Sequence, residues 1–300
     1  MNGLLIAIVT ALVSVTIVSG YGDRLAPVQE ESGKGTGGID RKFEAIDYPG
    51  AKSTIPSAIN SRGDIAGRFD DADGKTHGFL LRNGQFKSID VPDAPFTVVR
   101  GMNSEGELVG ASGPSNPKNG FRFKNGKFTA IKYPGRKGEF ATQINDRGDV
   151  VGLYYATSAD DVHGFLLRAG EFTSLDYPGA RVTSAWGINA SGDVAGGWVA
   201  ADGHQHAFLW SKGRFTSIDA PGSIYTLADD INDHGEIVGG VHTPDKKVHG
   251  FLLRNGTFTI IDYPGAVRTV IRGINVHGDM VGPYTDGDNK QHGFLLRAAR

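Results

Sequence analysis

The sequence predicts an all-β fold, a six-bladed β-propeller with four antiparallel strands per blade, whose N-terminal strand completes the last blade. Three observations predict it. A segment of about 43 residues recurs six times, its opening Phe standing at Phe43, Phe86, Phe128, Phe172, Phe215 and Phe258. Each copy carries four short strand-like runs separated by turn signals, and nothing beyond the N-terminal apolar run has helical periodicity. The first copy opens with a lone fourth strand, Phe43–Asp47, and the last ends after a third strand, Phe294–Arg297. Pairing these two closes the ring and removes an exposed sheet edge. The other arrangement, an open stack of hairpins, leaves a hydrophobic end uncapped.

Residues 1–20 hold an uncharged apolar run, Leu4 to Val18, followed by Ser19 and Gly20. That length suits a signal peptide cleaved after Gly20 and is short of the ~20 residues of a membrane span. No Lys or Arg precedes the run, so an uncleaved anchor is the second reading and would be the chain's one membrane contact. Residues 21–41, with the polar, Gly-rich stretch QEESGKGTGGID, read as a flexible linker. Residues 42–300 form the propeller.

Within a copy, the first run ends in Ile-Asn or Met-Asn: Asn60, Asn103, Asn145, Asn189, Asn232 and Asn275. Asn-x-x-Gly-(Asp/Glu) follows, with Asn opening a type I turn and Gly taking the place where φ is positive. The second run ends near a shared Gly. The third is centred on an aromatic and closes on tight turns such as Asn83–Gly84, Asn125–Gly126 and Asn255–Gly256. The fourth is Phe-x-x-(Ile/Leu)-Asp. Strand alternation puts the two tight connections of each copy on one rim. The longer, variable ones, the Tyr-Pro-Gly loop and the acidic loop before the third run, share the other. Variable loops on a rigid scaffold carry function, so that second rim is the expected binding face.

Charge is balanced, with 31 basic and 33 acidic side chains and a net charge of −2, so no nucleic-acid partner is implied. The absence of cysteine excludes disulfides, thiolate metal sites and cysteine nucleophiles. No phosphate loop or serine–histidine–acid set occurs, and no cofactor is expected. His77, His163, His206, His249 and His292 share one repeat position, with Asn119 in the second copy. Set one per blade, they cannot share a metal and read as structural hydrogen-bonding groups. Asp70, Asp71, Asp73, Asp286 and Asp288 read as turn residues, lacking the spacing of a calcium loop.

A position kept in every copy serves the scaffold; one that breaks the pattern is free for a ligand. Three residues before the shared Asn the copies read Ser57, Arg100, Thr142, Trp186, Asp229 and Arg272, and the next position adds Gln143 and Asp230. Around a channel mouth, Arg100 and Arg272 suit a carboxylate, Trp186 a sugar face, and Asp229 or Asp230 general-base work. The competing expectation is internal pairing, Arg272 with Asp229, and Trp186 as filler. Lys132 replaces an Asp found in the other copies, and with Arg136 it forms a basic sector over copies two and three.

The tripeptides His77–Gly78–Phe79 and His206–Ala207–Phe208, with Gly-Ile-Asn-x-x-Gly-Asp, resemble the bacterial extracellular HAF-repeat family, across all six copies. Asn119–Gly120–Phe121 departs from the tripeptide. The resemblance implies a secreted, periplasmic or cell-surface protein and attaches no defined activity to the repeat. The expected function is a binding or scaffold module for extracellular carbohydrate, envelope polymer or protein. A hydrolase or lyase at the channel mouth and a purely structural surface protein are the alternatives.

Overall fold

The computed structural model describes residues 29–30, 42–113, 119–136, 138–157 and 161–298; the leader, the rest of the linker, Lys118 and Lys137 lie outside the described residues. The described chain is all strand and turn, a β-propeller, and contains no helix long and apolar enough to cross a membrane. Four separate four-stranded antiparallel sheets cover 53–89, 97–131, 139–175 and 182–218. The strands from Tyr225 to Ile261 and those from Arg268 onward belong to one ten-stranded sheet, joined by a parallel Val248–Arg268 bridge. Inside the segment read as linker, Gln29–Glu30 pairs in parallel with Thr257–Ile261.

The expected clasp is present. Phe43–Ile46 pairs antiparallel with Gln291–Leu296, Phe43 opposite Leu296 and Ile46 opposite Gly293. Packing shows why this strand fits. In each copy the third-strand Phe is buried and meets the Phe of the fourth strand, as in Phe79–Phe86 (5.4 Å) and Phe208–Phe215 (5.1 Å). Phe294 and Phe43, 251 residues apart in the chain, make the same edge contact at 5.4 Å. Such edge-to-face pairs add about 0.5–1.5 kcal/mol each beyond area burial.

The shared turn explains its own residues. Asn145 Oδ1 accepts from Arg147 N and Asp149 N, which holds the turn shut. The turn glycines Gly63, Gly106, Gly148, Gly192, Gly235 and Gly278 all have φ between +75° and +84°, where a Cβ is strained. The Asn side chains also lock copy to copy. Each Nδ2 donates to the backbone carbonyl of the next Asn, from Asn60 through Asn103, Asn145, Asn189, Asn232 and Asn275. The sixth bond, Asn275 to Asn60 O at 3.1 Å, returns to the start. The glycine of the second strand answers a steric demand: a Cβ on Gly239 would sit 1.9 Å from the carbonyl oxygen of Leu227.

Candidate functional site

The candidate position three residues before the Asn is a β-bulge. The first strand slips register between Pro56/Ala58, Val99/Gly101, Ala141/Gln143, Ala185/Gly187 and Ala228/Asp230. Ser57, Arg100, Thr142, Trp186 and Asp229 are therefore the unpaired residues. In the sixth copy the strand is interrupted between Thr269 and Gly273, around Arg272. A bulge frees a side chain from the ladder and re-aims it, here toward the axis.

Two of these side chains close the channel. Arg100 Nη2 donates to Asp229 Oδ1 at 2.6 Å, and its Nη1 to Ser57 O at 3.2 Å. The partners sit in copies two and five, three steps apart in the Asn ring and so facing each other across it. Arg100 is 3% exposed and Asp229 5%. Burial brings Arg100 down to about 10 against the pull of Asp229. Burial likewise pushes Asp229 up, opposed by Arg100, Arg272 and Arg268. The expected internal pair thus exists with a different cation: Arg100, not Arg272, holds Asp229. Arg100 is committed to this pair and does not grip a carboxylate with Arg272. Asp229 is not a free base. Trp186, 5% exposed, meets the Phe140 ring edge-on at 6.3 Å and lies under the Arg100 guanidinium at 5.3 Å, so it offers no face to a sugar.

Gln143 and Asp230 face the tight-turn rim. They line a polar depression of about 100 Å³ on the tight-turn rim, walled by the six Asn with Ser61, Ser104, Asp146 and Asp233. Asp230 accepts from Ile274 N (3.1 Å) and Gln143 Nε2 (3.3 Å), while Gln143 Oε1 accepts from Met102 N. Burial raises Asp230 to about 7 in spite of these bonds. A desolvated carboxyl at a cavity floor can exchange a proton near neutrality. The variable-loop rim was expected to hold this pair of acids; the structure turns Asp229 into the pair with Arg100 and Asp230 toward the tight-turn depression, because one is bulged and the other is not.

At the variable-loop end the axial groups are unsatisfied. Among the described residues, the buried side-chain atoms without a hydrogen-bond partner are Arg100 Nε, Ser184 Oγ, Trp186 Nε1, Asp229 Oδ2, Arg268 Nε and Arg272 Nε, with Trp198 Nε1 further out. Five of the first six lie on first strands, and Arg272 lies in the interruption of the sixth. Arg272 and two residues that sequence reasoning missed, Arg68 and Arg268, are half-buried there and make no side-chain hydrogen bond or ion pair among the described residues. Burial, followed by the repulsion of Arg272, pulls Arg68 and Arg268 below the usual arginine range. Their signal was available: Arg68 is the one charged residue after the shared second-strand glycine, where other copies have Ala111, Leu153, Gly197, Gly240 and Pro283.

The histidines are structural. His77, His163, His206, His249 and His292 pair through Nδ1 with Asp90, Asp176, Asp219, Asp262 and Asp47 at 2.7–3.0 Å. Four of them also stack on a second-strand aromatic, as His206 does on Trp198 at 4.5 Å. Asn119 and Lys132 occupy the two ends of that pair in the second sheet, so Lys132 marks a pair replaced together. It stays exposed, as does Arg136, which reaches the Tyr154 ring at 5.9 Å; neither joins the axial group.

No protein-family model and no curated relative matches the chain. Solved structures match it in fold. A point mutant of the Aleuria aurantia lectin in complex with Fucα1-6GlcNAc is 11% identical with a TM-score of 0.54, over 81% of this chain and 91% of that one. A structural-genomics protein with a provisional gluconolactonase assignment is 15% identical with a TM-score of 0.50, over 87% and 93%. The β-propeller domain of the trilobed protease from Pyrococcus furiosus, whose clasp is described as open, is 13% identical with a TM-score of 0.51, over 82% and 81%. Here the Phe43–Ile46 strand closes the clasp, and the likeness establishes the β-propeller fold.

Proposed function

We propose that the protein is a six-bladed, non-catalytic binding module whose ligand, a carbohydrate or envelope glycan, sits on the axis at the variable-loop end. The observation that carries this reading is the set of six buried polar atoms, among the described residues, left without a partner along the first strands and in the break that holds Arg272. Buried polar groups in native proteins are almost always paired, and an orphaned group costs about 1–3 kcal/mol. Beside them Arg68, Arg268 and Arg272, half-buried and without side-chain partners among the described residues, mark a place completed by something else. The likeness to a sugar-bound lectin supports the carbohydrate side of the proposal. The blade count treats the ten-stranded sheet as two blades, because one bridge joins them and the Asn ring returns after six steps.

Export from the cytoplasm, and membership of the HAF-repeat family, are parts of the same proposal. They rest on the apolar leader and the repeated tripeptide. N-terminal sequencing of secreted material tests export: a start near Tyr21 supports a cleaved signal, an intact Met1 an anchor. The binding role is tested by a glycan array and an envelope pull-down with the full chain. Retention of a glycan class, lost on replacing Arg272, is expected. Failure to retain any glycan or envelope fraction ends the proposal.

One observation favours a second reading. Asp230 lies at the floor of the tight-turn depression with its acidity near neutral, a setting suited to acid–base chemistry in a hydrolase or lyase. Turnover of a polar glycan, abolished by Asp230→Asn with folding intact, would establish it.

A further inference from the structure

The chemistry of the orphaned groups says what they lack. Four of the six atoms, Arg100 Nε, Trp186 Nε1, Arg268 Nε and Arg272 Nε, can only donate; Ser184 Oγ can do either; Asp229 Oδ2 accepts. The site is short of acceptors. Its charge is unbalanced in the same sense. Arg68, Arg100, Arg268 and Arg272 share this end of the axis, and the carboxylate among them, Asp229, already serves Arg100 through Oδ1. Asp70, the other acid near Arg68, has its oxygens taken by Ser53 Oγ and Thr76 Oγ1 at 2.6 Å each. Asp230 is occupied by Ile274 N and Gln143 Nε2. A chain with net charge −2 thus holds a local cluster of cations that its own acids do not answer.

Resting on the binding-module reading, we propose that this end of the channel binds the oxyanion of an acidic sugar, gripped by Arg272 and Arg268 with Arg68 beside them. Guanidinium groups bond carboxylate, sulfate and phosphate through paired N–H donors. A half-buried setting strengthens that bond relative to water. Arg100 is the floor: tied to Asp229, it adds positive potential without moving. Phe140, Leu153 and Trp186, with Leu227 against them, pack as an apolar cluster beside Arg100. The overall charge of −2 argues against a nucleic-acid strand.

The test is calorimetric titration of the full chain with matched oligosaccharides: hexuronate, sulfated, and neutral. The expected result is binding of an acidic series at least tenfold tighter than the neutral one, weakening with salt. Whichever acidic series binds more tightly names the group. Arg272→Met is expected to lower acidic affinity at least tenfold. It leaves the melting temperature unchanged or raised, since Arg272 makes no side-chain hydrogen bond or ion pair among the described residues and its removal relieves repulsion with Arg68, Arg100 and Arg268; Arg268→Met is the second variant. Inorganic sulfate raises the melting temperature of the wild type and not of Arg272→Met. Equal affinity for neutral and acidic series overturns the oxyanion inference and leaves the binding module standing. Acidic affinity unchanged in both variants also overturns it. No binding by any series removes both.

Discussion

Replacing Asp229 by Asn removes one charge from the pair that closes the channel. Arg100 then keeps its bond to Ser57 O and loses its 2.6 Å bond to a carboxylate, at 3% exposure and with Arg272 nearby. At an effective dielectric constant of about 20, unit charges some 4 Å apart attract by about 4 kcal/mol. Measured costs of orphaning a buried charge run about 3–5 kcal/mol. The expected loss is therefore about 3–4 kcal/mol. Arg100→Met is expected to cost less, about 1–3 kcal/mol. Burial already pushes the Asp229 carboxyl up, so it can take a proton, and Arg272 and Arg268 remain to oppose its charge. The double variant Arg100→Met/Asp229→Leu is expected near wild-type stability, because a well-packed apolar pair replaces a buried ion pair at little cost. Equilibrium urea unfolding of the four proteins gives the cycle. An Asp229→Asn loss below about 1 kcal/mol, or additive single losses, would refute the pairing across the axis.

Asn145→Ala removes two donated bonds, to Asn189 O and Asp149 Oδ2, and two accepted ones, from Arg147 N and Asp149 N. A loss of about 2–4 kcal/mol is expected in urea unfolding, and a loss under ~0.5 kcal/mol would deny the Asn ring its structural role. Burial raises the folded Asp230 to about 7 against an unfolded value of 3.8, so the folded state holds an extra proton between those values and stability falls as pH rises through that window. Asp230→Asn is expected to flatten that fall by up to about 4 kcal/mol between pH 4 and 7.5; parallel stability curves would contradict it. Burial opposes protonation of His163, but its bonds to Asp176 and Asp161 outweigh it and raise the group above 6.5. Its contribution is full below about pH 6.5 and lost as pH rises through the folded value. An NMR titration should show Asp176→Asn lowering the midpoint, and an unmoved midpoint would contradict the assignment.

The scaffold was legible because it is repeated. Phe43 reads as a fourth strand only by comparison with Phe86 or Phe215, and Phe294 waits for it at the other end of the chain. Asn145 and Gly148 read as a turn from their own chemistry. The same comparison, carried to every position, would have found Arg68 and Arg268. It would also have shown that Asn119 and Lys132 depart together. What the sequence did not show is reach. Arg100 and Asp229 are 129 residues apart and meet because the ring sets their copies opposite each other, which a list of neighbouring copies hides. Nor does sequence show a bulge. A regular strand would have given Asp229 and Asp230 alternate faces at one level; the register slip at Ala228/Asp230 sends one into the ion pair and the other to the floor of the far depression.

A crystal structure of the full chain grown with its tightest oligosaccharide tests the central claim most directly. The account predicts an anionic group bonded to Arg272 and Arg268 at the variable-loop end, with the Arg100–Asp229 pair intact beneath it. A sugar lodged in the tight-turn depression, or in the grooves between neighbouring sheets, with the axial arginines left bare, would contradict it.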